Sequence, residues 1–158
     1  MKVINQYEPY IKGYSIYETR SPEETYELAF TLASKSKLGD IYLLNGELGV
    51  GKSVFAAGFA KGLGISDIIS SPTFTIIKEY NFNSDNKLIH VDAYRINTDE
   101  ALEIGLDELL ESSNNISLVE WSSNIIDIFS NKTINIEIEK DLSKGDNYRL
   151  IKIENRKE

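Results

Sequence analysis

Cysteine is absent from the 158 residues. That excludes a disulfide framework, a zinc-thiolate site and a cysteine nucleophile. It also fits a reducing cytoplasm, where thiol cross-links are rare in any case. Long apolar runs are missing too. Nothing approaches the roughly 18–20 residues that a membrane-spanning helix needs, and the N-terminus, Met-Lys-Val-Ile-Asn-Gln-Tyr-Glu-Pro, is too polar for a signal-peptide core. Basic charge is scarce. Seventeen Lys and Arg face 25 Asp and Glu, for a formal net charge of −8, and the basic residues are scattered. Nucleic-acid binding is driven largely by phosphate neutralisation, so direct contact with RNA is disfavoured and any RNA connection is expected to be indirect, through a protein partner. Histidine and tryptophan occur once each and proline three times.

What is present reads as one globular domain over residues 1–158. The length suits a single domain with a substantial core, and 41% hydrophobic with 27% charged residues is a globular balance. The first ten or so positions and the last few are expected to fray. Tyr14–Glu18 alternates weakly and is expected to form an edge strand. Ser21-Pro22-Glu23-Glu24 supplies a capping box with Pro at the first helical position. The helix that follows should run to about Ser36 and bury Leu28, Ala29, Leu32 and Ala33. Ile41–Leu44 and Ile116–Val119 are short apolar runs of the kind found in buried parallel strands. A helix is expected from Lys52 to Leu63, stopped by Gly62 and Gly64. Two hairpins are expected, Thr75–Phe82 with Lys87–Val91, and Thr133–Glu139 with Tyr148–Glu154. Thr98 can cap a short helix through Ile104, with another turn or two over Leu106–Glu111. The class is α/β, a three-layer fold with a mixed central sheet, β-hairpins and flanking helices.

Gly46-Glu47-Leu48-Gly49-Val50-Gly51-Lys52-Ser53 matches G-x-x-x-x-G-K-[ST] without departure, between an expected strand and an expected helix. Glycine is roughly 7% of average residues, so a chance match in this length is on the order of 1% or less. The residue types follow from the ligand. Phosphate oxygens need several backbone N–H donors converging on a small volume, and glycines permit that approach. The helix N-terminus adds oriented amides. Lys52 is expected to reach the β- and γ-phosphates, and the Ser53 hydroxyl to ligate Mg²⁺. The nucleotide contacts are expected from Glu47, Leu48, Gly49, Val50, Gly51, Lys52, Ser53 and Val54.

The Asn-Lys-x-Asp signature of guanine binders is missing. Asn131-Lys132-Thr133-Ile134 and Asn86-Lys87-Leu88-Ile89 both lack the Asp, which favours ATP. Thr19–Ser21 either touches the base or only caps the first helix. The metal's water shell needs an acid after an apolar strand. Glu120 and Asp92 both qualify, and either can equally be an ordinary solvated acid. Thr73 or Thr75, in Ser71-Pro72-Thr73-Phe74-Thr75, can act as a γ-phosphate-sensing switch threonine or form a plain turn.

Taken together, the phosphate loop, Ser71–Thr75, His90-Val91-Asp92-Ala93-Tyr94-Arg95 and Glu120-Trp121 resemble the TsaE (YjeE) family, ATPases of tRNA threonylcarbamoyladenosine synthesis. Ser53 stands where Thr is commoner. The resemblance implies Mg²⁺ held by Ser53 and Glu120, hydrolysis dependent on Asp92, which either orients the water or supports the metal shell, and a switch segment containing Thr73. Lys52 is expected to bear the charge on the β–γ bridge during hydrolysis. It implies Trp121 near the nucleotide or a partner surface, the alternative being a packed core aromatic. His90, Tyr94 and Arg95 fall near the site or a partner, although His90 can equally be a satisfied core histidine. The implied partners are the TsaD and TsaB proteins, with tRNA reached only through them. Of the four arginines, Arg20, Arg95, Arg149 and Arg156, only Arg95 lies in a motif. The isolated chain is therefore expected to be a slow ATPase completed by its partners. A small-molecule kinase, which would want an arginine-rich lid, and an ATP-switched scaffold are the rival readings.

Overall fold

The computed structural model describes residues 2–3, 13–129 and 133–156. Eight strands form one sheet: β1 (Lys2–Val3), β2 (Tyr14–Thr19), β3 (Ile41–Gly46), β4 (Ile77–Asn81), β5 (Lys87–Asp92), β6 (Asn115–Glu120), β7 (Thr133–Lys140) and β8 (Arg149–Glu154). Their spatial order is β1-β2-β8-β7-β3-β6-β5-β4. The centre, β7-β3-β6-β5, is parallel, and both wings are antiparallel. The two hairpins read from the sequence are β4–β5 and β7–β8. The strand expected at an edge, β2, has β1 outside it.

The apolar runs Ile41–Leu44 and Ile116–Val119 lie in β3 and β6, the inner pair of the four parallel strands, and are buried on both faces. Alternate side chains then feed two cores. Tyr42, Leu44, Leu88, Leu118 and Ile136 pack with α1 (Pro22–Ser34) and α2 (Lys52–Gly62) on one face. Ile41, Leu43, Ile89, Val91 and Val119 pack on the other with α3 (Thr98–Glu103), α4 (Leu106–Glu111) and a 3-10 segment over Ser122–Ile128. This is the expected three-layer α/β arrangement.

Ser21 caps α1, its hydroxyl accepting from the Glu24 amide at 3.1 Å, with Pro22 at the first helical position. The helix stops at Ser34, two residues short of the expected end, and Leu32 is half-buried rather than buried. The cap of α3 is Asn97, not Thr98. Asn97 and Glu100 form a reciprocal capping box, in which Asn is the stronger cap. In α2, a Cβ at Gly58 would meet the Tyr26 carbonyl, and one at Gly62 the Phe30 carbonyl. The bare backbone is what lets α2 lie directly on α1.

Asp40, just before β3, accepts from Arg156 at 2.5 and 2.6 Å and from the Lys37 amide at 2.8 Å. Burial pushes its carboxyl up, but the Arg156 and Lys37 hydrogen bonds outweigh this and hold it below its ordinary value. Burial also raises the neighbouring Tyr42 to about 12. A depressed carboxylate contributes stability above its unfolded pKa and loses it as pH falls through the folded one. Asp40→Asn should therefore cost on the order of 1 kcal/mol at pH 7, the Arg156 end being partly screened by solvent. The difference from the parent chain should close below the ordinary Asp value of about 3.9. Thermal denaturation from pH 7 to pH 2 measures it, and a pH-independent difference would contradict this account.

Candidate nucleotide site

β3 runs between β7 and β6 and delivers the chain to Gly46 at its C-terminal end, where ligands of open α/β sheets collect. The loop turns back on itself, the Val50 amide donating to the Glu47 carbonyl at 3.1 Å. Gly49 (φ 77°) and Gly51 (φ 112°) take left-handed conformations that disfavour side chains. Gly51 is the N-cap of α2, and no side chain caps it. The first-turn amides are thus left to an incoming anion. Lys52 is buried; its Nζ donates to the Gly46 carbonyl at 2.5 Å and lies 4.6 Å from the Trp121 ring centre. Ser53 is exposed.

Beside the loop stand the two acids. Asp92 and Glu120 end β5 and β6, opposite one another in register, and Glu120 is likewise opposite Leu44 of β3. Leu44 belongs to the core under α2, so both carboxylates are on the α2 face, next to the loop. Asp92 Oδ2 accepts from Thr73 Oγ1 at 3.2 Å, and Oδ1 from the Tyr94 amide at 2.9 Å. Glu120 Oε2 is 2.8 Å from His90 Nε2. Among the described residues, no three His, Cys, Asp or Glu side chains form a metal cage. Mg²⁺ takes one or two protein oxygens and completes its octahedron with phosphates and water. Ser53 and Glu120 offer the right hard oxygen donors.

Thr73 and its segment are pinned from several sides. Thr73 shares a 2.6 Å hydrogen bond with Ser71, the Ile76 amide donates to the Pro72 carbonyl at 2.7 Å, and the Asp92 amide donates to the Ile76 carbonyl at 2.8 Å. Ile76 has φ 67°, a strained setting for a β-branched residue. Trp121 is also left-handed, at φ 57°. Its ring, half-buried, sits 4.9 Å from that of Tyr94 and faces Lys52 as well as the core. Arg95 lies over Phe74 at 4.8 Å. Thr75 is exposed, with its carbonyl accepting from the Ile77 amide.

Two clefts flank the loop. The larger, about 430 Å³, is lined by Glu47, Glu137 and Glu139, carboxylates that would repel a phosphate chain. The smaller, about 190 Å³, lies between Ser21, Thr25, Gly49, Val54, Asn147 and Arg149. Thr19 is fully buried behind it, its hydroxyl bonded to that of Thr25 at 2.7 Å. Arg149 is a contact that sequence reasoning missed. Its Nε donates to the Val50 carbonyl at 2.7 Å, tying β8 to the loop. Nothing around an arginine at a strand start marks it for a carbonyl 99 positions away.

Comparison with known proteins gives matches over most of the chain. Residues 19–150 match the family model described as "Threonylcarbamoyl adenosine biosynthesis protein TsaE". The tRNA threonylcarbamoyladenosine biosynthesis protein TsaE of Bacillus subtilis is 43% identical over 135 residues, which is 85% of this chain and 82% of that one. Its Streptomyces coelicolor counterpart is 34% identical over 117 residues, 72% of this chain and 78% of the relative. The crystal structure of Bacillus subtilis YdiB superposes with a TM-score of 0.74 at 38% identity, covering 89% of this chain and 84% of YdiB. With its phosphate loop, paired strand-end acids and pinned Ser-Pro-Thr segment, this chain belongs to the TsaE family.

Proposed function

We propose that the chain is an ATP-binding, ATP-hydrolysing accessory protein in the synthesis of tRNA threonylcarbamoyladenosine, acting in the cytoplasm with TsaD and TsaB. The observation that carries this is the junction of the Lys52 loop with the in-register pair Asp92 and Glu120 at the ends of three parallel strands. The family's printed names supply the pathway.

In this reading the amides of Glu47–Ser53 and the Lys52 ammonium hold the phosphates, and the base enters the cleft between Val54, Asn147 and Arg149. Ser53 and Glu120 hold Mg²⁺, which when bound neutralises charge on the phosphate oxygens. Asp92 orients the attacking water as the carboxylate that accepts its hydrogen bond, and Thr73, already bonded to Asp92, reports on the γ-phosphate. Trp121 lies over Lys52, so nucleotide binding changes its surroundings.

Cationic help is short. Arg20 is stacked on Tyr148 and Arg95 on Phe74; Arg149 is bonded to main-chain carbonyls and Arg156 to Asp40. No arginine-rich lid emerges from these four, which argues against a small-molecule kinase. Leu48, Phe74 and Tyr94 are exposed around the site, the kind of apolar surface that a partner covers. No helix among the described residues is long and apolar enough to cross a membrane, and tRNA is engaged through the partners. ATP turnover should therefore be slow alone and rise at least tenfold with TsaD and TsaB. Phosphate release measured with and without the pair tests this, and equal rates would overturn the partner-completed site while leaving an ATP-switched scaffold.

A further inference from the structure

We propose that His90 is a positioning residue for the metal-side acid, fixing Glu120 through a single hydrogen bond. This rests on the reading of Glu120 as a magnesium acid. His90 and Glu120 project from β5 and β6 onto the same α2-side face, two register steps apart, since His90 pairs with Leu118 and Asp92 with Glu120. The imidazole is 2% exposed, and its Nε2 lies 2.8 Å from Glu120 Oε2. A carboxylate only accepts, so Nε2 carries the proton and donates.

The other ring nitrogen argues that the ring is not there for packing. Nδ1 is buried and has no hydrogen-bond partner among the described residues. An aliphatic side chain would fill a position between Leu88 and Asp92 without leaving a polar atom unmet. What the imidazole supplies in return is one directed donor, aimed at the acid opposite the end of β3. Holding Oε2 restricts the rotamer of Glu120, and the hydrogen bond does not use the other carboxylate oxygen. Partners of this second layer typically change metal affinity by 10–100-fold when removed.

The test uses the full chain and reads binding, not turnover. Calorimetry gives the affinity for a nonhydrolysable ATP analogue in Mg²⁺ and in EDTA, and the ratio is the magnesium enhancement. His90→Gln retains an N–H near the Nε2 position; His90→Asn keeps the amide but stops short of Glu120. The enhancement should fall about tenfold in His90→Asn, stay within about threefold of the parent in His90→Gln, and the EDTA affinity should be unchanged in both. Full enhancement in His90→Asn, equal loss in both variants, or a matching loss in EDTA would overturn the proposal. Glu120→Ala separates the two readings: if it keeps the enhancement, the metal assignment itself fails, whereas loss there with an unaffected His90→Asn removes only the role of His90.

Discussion

Lys52→Ala should weaken triphosphate binding about 30- to 150-fold, the equivalent of roughly 2–3 kcal/mol for a charge-assisted contact. The side chain is buried, with Nζ held between the Gly46 carbonyl and the Trp121 ring, so the ammonium is already at the mouth of the loop before any ligand arrives. Little ordering remains to be done on binding, and the full electrostatic term is lost with the group. A diphosphate should suffer less than a triphosphate, because the lysine is expected to span the terminal two phosphates. Lys52→Met, which keeps most of the aliphatic stem against Trp121, should give nearly the same loss. Calorimetry with both nucleotides measures it. Unchanged affinity in Lys52→Ala, with the fold intact, would contradict the assignment of the loop.

Replacing Asp92 should do the reverse, sparing affinity and removing turnover. Asp92→Asn keeps an oxygen for the Tyr94 amide and so leaves the β5 end in place, but an amide is a poor acceptor for the proton of an attacking water. A loss of about 100-fold or more in turnover is expected, the range for a positioned proton-accepting group, with nucleotide affinity within threefold. Single-turnover phosphate release in the presence of TsaD and TsaB is the measurement, because a basal rate as slow as the one proposed would hide the effect. Turnover equal to the parent would remove Asp92 from the chemistry and leave it as the residue that anchors Thr73.

The phosphate loop, both hairpins and the two buried parallel runs were legible because each is a local pattern: fixed glycines, alternation, or an unbroken apolar stretch. The order of the strands was not. That β7 docks in parallel on β3 and β2 antiparallel on β8 depends on long-range packing that no window of residues contains. The same holds at the site. Asp92 and Glu120 were visible as acids after apolar strands, but their facing register, the Thr73–Asp92 bond and the Arg149 grip on Val50 join residues 19 to 99 positions apart. His90 stood as either a core or a site residue; it is buried and yet bonded to a site acid. The Thr98 cap failed for a simpler reason, since adjacent Asn and Thr both qualify and Asn97 had Glu100 at the reciprocal spacing.

The absence of side chains where α2 crosses α1 has a mechanical consequence. At Gly58 and Gly62 main chain lies against main chain, without the compliant layer that lets packed helices slide or rotate. The helix carrying Lys52 and Ser53 is therefore braced against α1 like a wall and resists tilting. Across the site the backbone is held differently, with Ile76 storing strain a few residues from Thr73. Under the proposed function, a partner that reads the nucleotide state would do so on that side of the cleft.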